Sequence, residues 1–252
     1  MIMNGTTPTP DWYRKWFGEE YLELYPHRDA EEARQAVNLV IRASGHVEGT
    51  VLDLACGAGR HMREFSHRGI TAVGLDLSII LLREGKTADR DLMLTQGDMR
   101  HLPFADGSFD VVVNFFTSFG YFAQPEEDEV VLREIRRVLR SGGRFMLDFL
   151  NAERVRRNLV SEDTRYVDGR LVTQTRHLED DGKVVVKEIR MSEGDANEPS
   201  TTFYERVRLY SPEELGTMLR TAKLEPTTTF GDYSGAPTCS DCPRYILLGH
   251  AV

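Results

Sequence analysis

The segment from Thr50 to His61 limits what this chain can fold into more than any other stretch of it. An apolar run, Val51 to Ala55 with Asp53 inside it, meets Cys56-Gly57-Ala58-Gly59, and Arg60 to Arg68 then reads as a helix. Strand, tight glycine turn and helix in so few residues describe the start of an α/β unit. Glycine suits such a turn because it accepts positive φ and carries no Cβ. A ligand can then lie against the backbone and meet the N–H groups that open the helix. The turn is the expected floor of a binding site.

Asp76 closes a second apolar run, Ala72-Val73-Gly74-Leu75, about twenty residues past the turn, where doubly wound folds place a carboxylate for ribose hydroxyls. Leu92 to Thr95 leads into Gly97-Asp98-Met99. Phe109-Asp110-Val111-Val112-Val113-Asn114 reads as a fourth strand that stops at a polar residue before an aromatic loop. Four strands thus end in polar groups that face a ligand.

Taken in register, these motifs resemble those of the class I S-adenosylmethionine-dependent methyltransferases. The resemblance continues through Leu132 to Phe145, which is similar to that family's helix, glycine turn and fifth strand, and covers Thr50 to Leu150. It implies an α/β fold with a Rossmann-like seven-stranded sheet of order 3-2-1-4-5-7-6, last strand antiparallel, and S-adenosyl-L-methionine as cofactor. On matching positions it implies cofactor contacts at Asp53, Ala55, Cys56, Gly57 and Gly59 in the turn, and at Asp76 and Leu77 beside the ribose. Asp98 would accept from the adenine amino group, the Met99 N–H would serve a ring nitrogen, and Asn114 and Phe115 close strand four. Ala55 departs from the pattern, standing where many members have the first glycine; alanine is small enough for cofactor binding to survive.

Composition narrows the partners. The chain has 252 residues and a net charge of −9, so attraction to a polyanion would need a local basic patch. Arg133, Arg136, Arg137 and Arg140 are the nearest thing to one, and at helical spacing beside Glu134 they read as a solvated helix face. No nucleic-acid partner is expected. No apolar run approaches the ~20 residues that span a bilayer, and the first residues do not read as a secretory signal. The expectation is a cytoplasmic protein without a membrane partner. Cys239-Ser240-Asp241-Cys242 has the spacing of a zinc half-site or a redox pair, but further ligands are scattered, so the expectation is no metal and two free thiols in a loop.

Four regions are expected: an aromatic lid and helix over residues 1–45, the cofactor-binding core over 46–150, an inserted antiparallel β subdomain over 151–210, and a helix and hairpin completing the core over 211–252. In the first region Asp11 can cap Trp12 to Phe17, and an amphipathic helix runs from Asp29 to Ser44. The aromatic residues either bury that segment on the body of the protein or fold across the cofactor as a lid. Arg28 could pair with the cofactor's carboxylate as a guanidinium fork does. In the third region Asp168-Gly169 is a hairpin dipeptide between alternating strands. The insertion resembles the substrate-covering or dimer-forming insertions of some small-molecule methyltransferases, so a homodimer through it is one expectation, and a structural apron is the other.

A methyl group on a sulfonium is already activated, so such an enzyme mainly aligns a nucleophile and removes water. Tyr13, His27 and Tyr121 are the leading acceptor-side residues, with His61 and His101 as further possible bases, and the sequence does not choose among them. Asn114-Phe115-Phe116-Thr117 is not the Pro-Pro-Tyr type of run used on planar base amino groups, and no Pro-Cys pair supplies a nucleophile for cytosine. A soluble small molecule is the expected acceptor, with nitrogen favoured over oxygen by the aromatic loops. A protein or RNA methyltransferase, or a protein that binds the cofactor without transfer, remains as an alternative.

Overall fold

In the computed structural model, which describes residues 8–25, 30–45, 47, 49–194 and 200–252, the strand, turn and helix around Asp53 lie in the middle of a seven-stranded sheet. The chain opens with α1 (Trp12–Trp16), α2 (Glu19–Leu24) and α3 (Ala30–Ser44). It continues through β1 (Thr50–Leu54), α4 (Arg60–Ser66), β2 (Thr71–Asp76), α5 (Ile79–Ala88), β3 (Met93–Gln96) and β4 (Phe109–Asn114). Next come α6 (Pro125–Val138), β5 (Leu139–Leu150) and α7 (Ala152–Arg157). The insertion supplies β6 (Glu162–Val167), β7 (Arg170–Glu179), β8 (Val184–Glu193) and β9 (Ser200–Arg208). The chain closes with α8 (Pro212–Thr221), β10 (Leu224–Phe230) and β11 (Arg244–Ala251).

The sheet order is β10-β11-β5-β4-β1-β2-β3. Strands β1 to β5 pair in parallel, whereas β11 runs antiparallel to both β5 and β10, as the expected order requires. Alternation along the central strands sorts side chains onto two faces. Val51, Val111, Val113, Met146, Ile246 and Leu248 pack with α3 and α4, while Leu52, Leu54, Val112, Phe145, Leu147 and Phe149 pack with α6 and α8. Both faces are covered, which explains why these strands read as near-continuous apolar runs.

Local signals account for the helix starts. The Ser78 hydroxyl accepts from the Leu81 N–H at α5, and Ser211 and Glu214 form a reciprocal capping box at α8 with Pro212 in the first turn. Asp11 does sit before α1, but its side chain makes no capping bond, a correction to the expected cap.

The insertion forms a separate antiparallel sheet, β6-β7-β8-β9, and Asp168 and Gly169 take φ of 48° and 83° at its first hairpin. Helix α7 precedes this sheet and starts at Asn151, whose side chain accepts from the Arg154 N–H. The sheet is joined to the N-terminal aromatic segment. Trp16, with no exposed surface, packs on Phe203 of β9 at 5.0 Å between ring centroids, and its indole N–H donates to Glu205 at 2.8 Å. Lys187 of β8 completes this joint as the ion-pair partner of Glu205 at 2.5 Å.

Cys239 and Cys242 are disulfide-bonded in the loop between β10 and β11, which corrects the expectation of free thiols. The local backbone explains the pairing: the Cys242 N–H donates to the Cys239 carbonyl, closing a turn that brings the side chains together. Asn151 braces this turn by donating to the carbonyls of Cys239, Ser240 and Cys242. Among the described residues no helix is long and apolar enough to cross a membrane, and no cluster of metal-ligating side chains occurs.

Candidate functional site

A cavity of about 590 Å³ opens at the carboxyl ends of β1, β2 and β4, where the order of connections reverses. Its floor is the turn after β1. Gly57 and Gly59 take φ of 56° and 72°, a left-handed backbone that favours glycine. Ala55 takes φ of 61° with its Cβ in place, so the departure from the family pattern sits in left-handed backbone.

Asp76 ends β2 at the cavity wall. One of its oxygens accepts from the Gly57 N–H at 2.8 Å and the other from Ser78 at 2.8 Å. Burial pushes this carboxyl above its ordinary range, against the hydrogen bonds from Ser78, Gly57 and Leu77 that stabilise its anion. Each oxygen keeps acceptor capacity toward the cavity, as a ribose partner needs. The Ser78 hydroxyl donates to the Phe17 carbonyl at 2.6 Å, tying the N-terminal segment to the end of β2.

Ala55, Cys56, Gly57, Leu77, Asp98, Met99 and Phe115 also line the cavity. Asp53, Gly59 and Asn114 do not. Asp53 is buried with neither carboxylate oxygen hydrogen-bonded, and burial pushes it up to about 8, with Arg60 opposing and nearby Asp76 adding to the rise. Asn114 is also buried and uses its amide N–H on the Leu54 carbonyl, which locks β4 to β1.

Asp98 has a partner that no local pattern announced. Burial raises its carboxyl, but the hydrogen bonds from Arg100 outweigh that and hold it below its ordinary value. The Arg100 guanidinium donates to both oxygens, at 3.0 and 2.6 Å, and also reaches Glu127 at 2.5 Å. Asp98 is thereby kept anionic and fixed in orientation beside Met99.

The N-terminal aromatic residues divide between the two readings open in the sequence. Trp12 and Trp16 are buried packing residues, whereas Tyr13 and Phe17 line the cavity together with Tyr21 and Tyr25. Tyr121 and Phe122 face them from the loop after β4. Phe17 stacks on Tyr121 at 5.9 Å, and Tyr13 meets Phe122 edge-on at 5.7 Å. Of the expected acceptor-side residues, Tyr13 and Tyr121 are therefore brought together in the wall; His27 and Arg28 lie outside the described residues. His61 is a buried lining residue 4.2 Å from the Phe115 ring, and His101 is exposed. Sequence reasoning did not name Arg60, Phe116 or Arg100 as site residues, although each lies in or directly beside a stretch that it singled out: the glycine turn, the aromatic loop after β4 and the loop after β3.

The donor and acceptor set fits S-adenosylmethionine: an acid with spare lone pairs for ribose, a left-handed glycine floor, a fixed acid next to a methionine backbone, and aromatic walls for a sulfonium. Residues 52–147 match the methyltransferase domain family, and with the likeness over three quarters of the chain described next, the chain belongs to the S-adenosylmethionine-dependent methyltransferases. Cypemycin N-terminal methyltransferase of a Streptomyces species is 34% identical over 194 residues, which span 75% of this chain and 77% of that protein. The dTDP-3-amino-3,4,6-trideoxy-alpha-D-glucopyranose N,N-dimethyltransferase of Streptomyces venezuelae is 29% identical over 79% of this chain and 81% of its own. Among solved structures, Streptomyces venezuelae DesVI superposes with a TM-score of 0.68 at 25% identity, covering 92% of this chain and 97% of that one. A Clostridium acetobutylicum S-adenosylmethionine-dependent methyltransferase, at 18% identity, reaches a TM-score of 0.79 over 92% of this chain and 98% of its own, a likeness of fold.

Proposed function

We propose that this methyltransferase transfers the methyl group to an amine nitrogen of a small-molecule acceptor that enters between the N-terminal aromatic segment and the loop after β4. The observation that carries the reading is the wall of Tyr13, Phe17, Tyr21, Tyr25, Tyr121 and Phe122, whose ring faces suit a nitrogen that becomes cationic as it is methylated. Two relatives that match over most of the chain are named for transfer to an N-terminus and to an amino sugar, and both names describe nitrogen acceptors. Demethylmenaquinone methyltransferases match too, but the one from Renibacterium salmoninarum does so over 46% of this chain and 48% of its own length, at 37% identity. That match is too short to carry the acceptor side.

The cofactor supplies a methyl group already activated by positive sulfur. The chain's work is to hold Asp76, Asp98 and the glycine turn in place, exclude water with the aromatic wall, and align the acceptor. Burial pushes the Tyr13 phenol above its ordinary range, so it stays protonated at neutral pH and serves as a hydrogen-bond donor rather than a base. The acceptor then enters as the neutral amine. The test is product analysis by mass spectrometry with S-adenosylmethionine and a panel of an amino-sugar nucleotide, a peptide with an unblocked N-terminus, a phenol and a quinol. Methylation of an amine member supports the reading, and transfer only to the phenol or quinol overturns it.

A further inference from the structure

Phe116 and Thr117, the second and third residues after β4, both have φ of 61°, and neither is glycine. Left-handed backbone strains a side-chain-bearing residue, so two in succession persist only where the surroundings impose them. The surroundings here converge on one carboxylate. Asp148 of β5 has no exposed surface, and its Oδ2 accepts from the Phe116 N–H at 2.7 Å while its backbone carbonyl accepts from the Thr117 N–H at 3.0 Å. The Tyr233 hydroxyl donates to the same Oδ2, and Arg244 of β11 donates through Nε to Oδ1. Arg244 then reaches back to the turn, with Nη2 donating to the Thr117 hydroxyl at 3.1 Å and its guanidinium carbon 5.0 Å from the Phe116 ring centroid.

None of Asp148, Tyr233 and Arg244 lines the cavity, whereas Phe115, Phe116 and Ser118 do. Arg60, another lining residue, lies 4.6 Å from the Phe116 ring, so the turn also meets the helix that follows the glycine floor. We infer that Asp148 and Arg244 are positioning residues that hold the Phe116–Thr117 turn in its left-handed form and thereby set the cavity wall beside the cofactor-binding floor. A buried ion pair that only stabilised the sheet would have no need of two consecutive strained residues as its hydrogen-bond partners. Without the clamp, the turn relaxes to negative φ and carries Phe116 out of the wall. The inference rests on the cavity being the cofactor site, and the experiment separates the two.

The test uses calorimetric titration with S-adenosylhomocysteine and hydrogen exchange of the segment 114–120. The main variant is the charge-neutral pair Asp148→Asn with Arg244→Met, which leaves no unpaired buried charge. Affinity is expected to fall roughly tenfold or more and exchange at 115–118 to quicken, with β1 and β4 still protected, because the lost hold is comparable to the strain in the turn. Adding Thr117→Gly to that pair is expected to return about threefold in affinity, since glycine takes φ of this kind without strain. A merely stabilising role predicts no such recovery. Tyr233→Phe, which removes one bond to Asp148, gives the same changes at smaller size and decides the matter if the paired variant does not fold. Affinity within twofold of the unaltered protein, or unchanged exchange at 115–118, overturns the inference. Failure of the unaltered protein to bind S-adenosylhomocysteine instead overturns the cofactor assignment of the cavity, and the exchange measurement still tests the clamp.

Discussion

Asp76 shows how much one residue contributes when its position and its bonds agree. It ends a strand, lines the cavity, and has both oxygens oriented by backbone N–H groups of the glycine turn and of α5. Asp76→Ala is expected to weaken S-adenosylhomocysteine binding at least tenfold, about 1.4 kcal/mol, in calorimetry. Unchanged affinity would remove Asp76 from the site. Ala55 is the opposite case, a residue that carries a cost. At φ of 61° its Cβ strains the backbone, so Ala55→Gly is expected to raise stability by about 0.5–1 kcal/mol despite glycine's greater freedom in the unfolded chain. A thermal melt checks this, since the same exchange in unstrained backbone lowers the midpoint. Both positions were marked in the sequence, Asp76 by its spacing from the turn and Ala55 by its break with the glycine pattern. The partners that set their energetics were not. Arg100 is two residues from Asp98 and still gave no sign that it would take both of that carboxylate's oxygens.

At the scale of elements, α1 is placed to report ligand binding. The chain's two tryptophans, Trp12 and Trp16, both lie in it, and Trp12 contacts Phe17 and Tyr121 of the cavity wall at 5.9 and 5.0 Å. Titration with S-adenosylhomocysteine is expected to change tryptophan emission. Emission that stays constant while calorimetry shows binding would place α1 outside the site. The joint between α6, the aromatic loop and the insertion depends on Asp128, which accepts from the Gly120 N–H at 3.1 Å and from the Tyr210 hydroxyl at 2.8 Å. Burial raises its carboxyl from 3.8 to about 7, opposed by the bonds from Tyr210 and Gly120 and by Arg208, and reinforced by Glu127. Between those values the folded chain keeps a proton that the unfolded chain has lost. Stability from this group is therefore full below the lower value and is lost as pH rises through the upper one. Asp128→Asn should flatten the fall in melting temperature between about pH 4 and about pH 7. An identical pH profile in the variant would show that Asp128 is ionised throughout.

For the whole molecule, the N-terminal helices and the carboxyl ends of the central strands line the cavity while the insertion packs on Trp16 of α1, so stability and ligand binding share contacts. The Cys239–Cys242 bond is local and closes only a short loop, so reduction is expected to cost no more than about 2 kcal/mol. A melt with and without reductant measures it, and a collapse of the fold on reduction would show that the loop carries more than its own turn. The central sheet was legible because each of its signals is local: alternation within a strand, glycines within a turn, a cap within a helix's first residues. Strand-end acids then marked the ligand edge, since strands β1 to β4 run parallel and bring those ends together. By itself, the sequence determined the central strands, the glycine turn and the four-stranded insertion, and through its resemblance to the methyltransferases it implied the sheet order and the class of cofactor. Only the tertiary structure decided which aromatic residues pack and which line the cavity, that Arg100 holds Asp98, and that Tyr233 and Arg244 meet Asp148. The last two partners lie 85 and 96 positions away in the chain. Contacts at such separation leave no periodic trace, because they arise only when the sheet's far edge folds back beside β5.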